Sequence, residues 1–242
     1  MGLRTLTGML VAALVVIGLL ALLPDYALFM PQLLEGVVLT VKIAVLGCLL
    51  AVVMGVLAAL ARLYGFPPLR WLATVYVEIF RGTSALVQLF WLFFVLPQFG
   101  VTIAPFTVAV LALGLNVGAY GSEVVRGAIL GVPRGQWEAT TALNMTRAAA
   151  LRRIILPQAF VAMIPPWGNL FIELLKATSL VSLITLADLT FKAQTLNQTT
   201  FQTVPIFTLV LLMYLALSLV LTIGMRFLEN RAALGLARGA AR

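Results

Sequence analysis

Six apolar runs, near residues 7–23, 36–61, 71–96, 105–129, 158–181 and 204–226, constrain this chain more than any other feature. Each is about 15 to 26 residues long, enough for a helix to cross a hydrocarbon core roughly 30 Å thick. Inside lipid the backbone must satisfy its own hydrogen bonds, which leaves helices and closed barrels as spanning structures. Barrel strands would read as short alternating segments, and these runs do not alternate. The expected fold is therefore all-α and integral to the membrane, with about six transmembrane helices. A hydrophobic content of 62% with only 10% charged residues agrees, since soluble domains carry about a quarter charged.

The charges are arranged as well as scarce. Arg62 and Arg70, the stretch from Arg126 through Arg153, and the tail with Arg226, Arg231, Arg238 and Arg242 hold most of the positive charge. The loops at the opposite ends of the runs hold only Lys192, beside Asp25, Glu35 and Asp188. The positive-inside rule then predicts that both termini are cytoplasmic. The net charge of +8 belongs to these short loops, which argues against nucleic acid as a partner. The absence of histidine and the single Cys48 remove disulfides, Cys/His zinc sites and Ser-His-Asp triads together, so no metal site or catalytic residue is expected. The start, Met1-Gly2-Leu3-Arg4 and an apolar run to Leu23, has the outline of a signal peptide. Leu22-Leu23-Pro24-Asp25-Tyr26 follows in place of a small-residue cleavage site, so a retained first helix is expected. No repeat of 20 to 50 residues is visible. The chain divides into an N-terminal helix with a short extracytoplasmic loop at 1–30, one transmembrane domain at 31–230 and a cytoplasmic tail at 231–242.

Three acidic residues inside the runs each precede a basic one by three positions: Glu78 and Arg81, Glu123 and Arg126, Glu173 and Lys176. That spacing puts both members on one helix face. An unpaired charge at mid-membrane costs at least about 2.5–3.5 kcal/mol, so local neutralisation is a physical reason for the pattern. Asn116 and Tyr120 lie among small residues just before Glu123, and small residues let helices approach closely. Asn116, Tyr120 and Glu123, helped by Glu78, Arg81, Glu173 and Lys176, are the candidates for lining or scaffolding a polar passage for a small zwitterion. The competing expectation is that they only hold helices together.

Residues 131–157 form the longest stretch on the cytoplasmic side, punctuated by Pro133 and Gly135 and then rich in helix formers. A short helix outside the membrane is expected there; a helix lying on the lipid surface is the plainer alternative. This stretch resembles the coupling segment of bacterial ABC importer permeases, whose pattern is Glu-Ala-Ala, three residues, Gly, nine residues, Ile, one residue, Leu-Pro. Glu138, Ala139 and Thr140, then Asn144, then Ile154, Leu156 and Pro157 fall at those spacings, with Gly135 just ahead. Thr140 stands for the second Ala and Asn144 for the Gly; Asn tolerates a left-handed turn, so the bend is expected to survive. EIFRGTSALVQLF, AYGSEVVRGAI, IILPQAF and KATSLVSLI extend the likeness to the polar amino acid permease subfamily over about residues 32–230. Members of that subfamily usually have Pro where Ser84 stands and often Asp where Ala177 stands, so a local kink and one acidic contact are expected to be lost.

The resemblance implies a five-helix type I importer core, here with an added N-terminal helix, in the bacterial inner membrane. It implies three kinds of partner: ATPase subunits, a second permease subunit, identical or related, and an extracytoplasmic solute-binding protein. Gly135, Glu138, Ala139, Thr140, Asn144, Ile154, Leu156 and Pro157 would form the coupling to the ATPase. The chain has no Gly-x-x-x-x-Gly-Lys-Ser/Thr stretch, so ATP and Mg would bind on the partner and no cofactor on this chain. A narrower likeness, in FRGTSALVQLFWLF, ALNM and KATSLVSLITLADLTF, is to permease subunits of ectoine/hydroxyectoine importers. The alternatives are a permease for another polar amino acid, an ion-gradient-driven transporter and, least of all, an intramembrane enzyme.

Overall fold

Glycine and alanine at four-residue spacing let two of the long helices meet along their backbones, and this contact sets the frame of the fold. The structure is a computed structural model that describes residues 2–240. The side chains of Asp25 and 234–240 fall outside the described part, as do Met1, Ala241 and Arg242, so much of the tail expected at 231–242 goes untested. Helix α1 (Leu3–Ala21) and the single turn α2 (Pro24–Ala27) precede α3 (Met30–Tyr64), α4 (Pro67–Gly82) and α5 (Ala85–Phe90). After α5 come a π-helical turn, Trp91–Val95, and a 3-10 turn, Leu96–Phe99. Then come α6 (Pro105–Leu130), α7 (Arg134–Ala142), α8 (Arg147–Ala150), a second π-helical turn at Leu151–Ile155, and α9 (Leu156–Ala177). A 3-10 stretch, Thr178–Ile184, leads to α10 (Leu189–Thr200) and α11 (Thr203–Ala240).

Helices α3 and α6 run in the same direction: Gly114 lies on Gly47, Gly118 on Ala51, and Arg62 reaches Glu123. A Cβ at Gly118 would lie 2.9 Å from the Tyr76 hydroxyl and 3.2 Å from the Ala51 carbonyl oxygen. A Cβ at Gly121 would clash with the edge of the Trp167 ring, which fills the hollow the glycine leaves. Around this seam Ile43, Leu113, Val117, Ile155, Trp167 and Leu174 form the main core.

A second core at the far end joins Phe29, Leu33, Leu189, Ile206 and Leu209. There α10 seats on the start of α3. Thr40 Oγ1 accepts from the Leu189 amide at 3.1 Å, and Asp188 caps α10 by accepting from the amides of Phe191 (2.9 Å) and Thr190 (3.2 Å). Asp188 is fully buried, and burial pushes its pKa up to about 6 against those two bonds.

Among the described residues five helices are long and apolar enough to span, or six when the bent pair α4 and α5 with its following turns counts as one, in agreement with the expected number. Three details differ from the sequence expectation. The run at 71–96 is not one helix but two pieces bent by 107° at Thr83–Ser84. The run at 158–181 is not α-helical to its end: α9 passes through Pro165 and Pro166 and stops at Ala177, where a 3-10 stretch takes over. Residues 189–200, read as loop, form a helix of weak amphipathicity that carries its own N-cap.

Candidate functional site

The bend between α4 and α5 is built without proline. Thr83 (φ −123°, ψ 154°) and Ser84 (φ −69°, ψ 136°) are both extended, which ends α4 and frees its last carbonyl groups. Side chains take those carbonyls up. Thr83 Oγ1 donates to Ile79 O at 2.7 Å; Gln88 Nε2 donates to Phe80 O at 2.9 Å and to Thr83 Oγ1 at 2.7 Å. From α6, Asn116 Nδ2 donates to the same Phe80 O at 2.9 Å and Tyr120 OH to Arg81 O at 3.3 Å. Freed carbonyls at membrane depth require such partners, and here they come from two other stretches of chain. The kink expected to vanish with Ser84 is therefore present, fixed by tertiary hydrogen bonds.

One turn further along α6 stands a charged node. Glu123 Oε1 meets Arg62 at 2.6 Å and Arg81 at 3.3 Å, and Glu123 Oε2 meets Arg126 at 2.7 Å. The Arg81 guanidinium also lies 5.5 Å from the centre of the Tyr120 ring. One carboxylate thus ties α3, α4 and α6 together and leaves positive charge in excess. Arg62 is the most enclosed cation of the three, at 16% side-chain exposure, while Arg81 (36%) and Arg126 (39%) keep a face open.

Of the three expected i, i+3 pairs only Glu123 with Arg126 forms. Glu78 is exposed on α4, and Arg81 turns to Glu123 instead, where a carboxylate already faces two cations. Glu173 and Lys176 are both exposed near the end of α9, and no ion pair within 4.0 Å joins them or Glu78 to a partner among the described residues. The structure so brings together Arg81, Asn116, Tyr120 and Glu123, and leaves Glu78, Glu173 and Lys176 out of the node. Sequence reasoning missed Arg62, assigned to a loop, and Gln88 and Tyr76, whose hydroxyl donates to Leu115 O at 2.7 Å. Their partners are distant in sequence, so no local spacing could have signalled them.

At the end of the bundle where α3 and α6 finish, α7 stands out from the spans. Gly135, Glu138 and Ala139 are exposed on it, while Thr140 turns inward and donates its Oγ1 to Trp137 O at 2.8 Å. Asn144 has φ 52°, the left-handed bend expected there. Thr146 caps α8 through the Ala149 amide at 3.3 Å, and Ile154 and Leu156 are half-buried as the chain re-enters the bundle, with Pro157 exposed at the first turn of α9. Tyr64 at the end of α3 joins Trp137, Thr140 and Met145 around a cavity of about 650 Å³ beneath α7. The helix is propped against the bundle, and Glu138 is exposed while lining the same cavity.

The fold is a bundle of long apolar helices with a broken third span and a short helix, α7, at the end where α3 and α6 finish. The chain belongs to the family described as binding-protein-dependent transport system inner membrane component, whose model matches residues 51–234. It is 44% identical over 212 residues to a probable amino-acid ABC transporter permease protein, y4tF, of Sinorhizobium fredii, covering 85% of this chain and 89% of that one. It is 49% identical to the L-cystine transport system permease protein TcyB of Bacillus subtilis (69% and 71% covered), and 39% identical to the glutamine transport system permease protein GlnP of Escherichia coli (83% and 93% covered). Among solved structures, an amino acid ABC transporter with histidines superposes at a TM-score of 0.81 with 35% identity, covering 86% of this chain and 97% of that one. The chain is thus a permease subunit of an amino acid ABC importer, not an enzyme, and its family works with ATPase subunits, a second permease and a solute-binding protein. The ion-gradient-driven and enzymatic alternatives fall away with that membership.

Proposed function

We propose that this subunit imports a small zwitterionic amino acid derivative across the bacterial inner membrane, with ectoine and hydroxyectoine as its solutes. The supporting observation is the node of Glu123 with three arginines beside the bend at Thr83–Ser84. Arg81 and Arg126 offer partly open guanidinium faces to the solute carboxylate, drawn by the excess positive charge of the node. The choice of ectoine rests on the likeness of the FRGTSALVQLFWLF and KATSLVSLITLADLTF runs. Glutamine and cystine, named for two relatives, are the comparison solutes.

In this account the binding protein delivers the solute from outside, and two permease subunits surround the pathway. ATP and its Mg bind on the ATPase subunits. The exposed face of α7, with Gly135, Glu138 and Ala139, seats on an ATPase, and the inward Thr140, the Asn144 bend and Ile154, Leu156 and Pro157 behind it carry the ATPase closure to the spans. Both termini face the cytoplasm, together with the arginine-rich end of the bundle. The single transmembrane domain covers 31–230, between the N-terminal helix and the tail. ATP hydrolysis by the assembled importer in lipid vesicles, with its binding protein, tests the substrate. Stimulation by ectoine and not by glutamine or cystine is expected; stimulation by glutamine or cystine alone would replace the solute while keeping the mechanism.

A further inference from the structure

Between α3, α6, α9 and α11 a groove of about 850 Å³ opens, lined by apolar side chains that include Val52, Val56, Phe160, Ile164, Trp167 and Met225. The one charged lining residue among the described residues is Arg152, in the π-helical turn that leads into α9, at the end of the bundle that carries α7. Along α9 the lining runs from Leu156 to Phe171, about 22 Å of helix, long enough to lie beside an acyl chain that enters from the Arg152 end. Arg152 is exposed and has no carboxylate within 4.0 Å among the described residues, and Arg153 follows it. A long apolar trough beneath an unneutralised guanidinium matches one chemistry, a fatty acyl chain with a negatively charged head.

We propose that this groove holds an anionic phospholipid of the inner leaflet, its acyl chain along α9 against Val56 and Phe160 and its phosphate on Arg152. Such a lipid would wedge the seam between α9 and α11 and give the permease a dependence on membrane charge. A second permease subunit is the competing occupant, and the test separates the two.

The assembled importer, purified from membranes in mild detergent, is analysed for bound phosphatidylglycerol and phosphatidylethanolamine by lipid mass spectrometry. Phosphatidylglycerol is expected to be enriched over its share of the membrane. In Arg152→Gln its retention should fall about fivefold, the equivalent of the ~1 kcal/mol that one basic side chain contributes near an anionic surface. Arg134→Gln, on the exposed face of α7 away from the groove, should leave it unchanged. Val56→Trp, which fills the trough, should displace the lipid while the permease subunits stay paired. Equal retention in wild type and Arg152→Gln, an equal loss in Arg134→Gln, or loss of subunit pairing in Val56→Trp with the lipid retained would each overturn the assignment.

Discussion

Glu123 is the point at which three helices are tied by charge. Its carboxylate accepts from Arg62 and from two nitrogens of Arg126, and it faces Arg81 at 3.3 Å. Removing it strands three guanidinium groups, one of them largely enclosed. Glu123→Gln is expected to destabilise the subunit by about 1–3 kcal/mol, the cost of leaving charged hydrogen-bonding groups without their partner, read as a lower melting temperature of the purified complex. Arg126→Gln should cost under about 1 kcal/mol, because its side chain is partly solvated. Equal losses in the two variants would deny Glu123 its central position. Half of this node was legible in the sequence. The Glu123–Arg126 pair follows from helical spacing alone, whereas Arg62 lies 61 residues from its partner and reaches it only because α3 and α6 pack in parallel. The same non-locality explains why Glu78–Arg81 failed: spacing permits a pair, and a carboxylate elsewhere competes for it.

At the level of elements, close packing and capping decide the arrangement. Gly121→Ala would drive a methyl group into the Trp167 ring and is expected to cost about 1–3 kcal/mol, the usual penalty of overpacking. Trp167→Phe in the same chain should recover part of that loss; additive losses in a double-mutant cycle would show that the ring does not fill the glycine hollow. The α10 cap supplies a pH dependence. Asp188 has a pKa raised from 3.8 to about 6 in the folded chain, so its protonated form favours folding and that contribution is lost as pH rises through 6. Asp188→Asn keeps the capping oxygen without the buried charge. It should raise the melting temperature at pH 7.5 and flatten its decline between pH 4 and 6. An unchanged slope would assign the decline to other groups. The five long spans were legible from length and hydropathy alone. The bend in the third was not, since Thr83 and Ser84 are ordinary residues whose extended conformation is held by Asn116, Tyr120 and Gln88 from elsewhere. Nor was α10, whose weak periodicity hides a helix fixed by Asp188 and by its seat on Thr40 and Gly36.

For the whole molecule, the proposed function has the bundle join two tasks through one end. Arg62, Glu123 and Arg126 lie where α3 and α6 approach α7, and Tyr64 from α3 shares a cavity with Trp137, Thr140 and Met145 beneath it. A push on α7 therefore meets the ends of the two helices that hold the node. The left-handed bend at Asn144 was foreseeable from the resemblance to the coupling segment, which has Gly at this position, because asparagine is the residue besides glycine that adopts such a bend readily. Family membership makes the chain an importer permease; the assignment of α7 as the element that receives ATPase motion is the central claim. Its direct test is ATP-dependent solute uptake in vesicles that contain the assembled importer with either native Glu138 or Glu138→Arg. Uptake is expected to fall at least about tenfold, equivalent to ~1.4 kcal/mol of lost coupling, with the subunit still in the membrane and its melting temperature unchanged. Uptake by Glu138→Arg at the native rate would contradict the assignment.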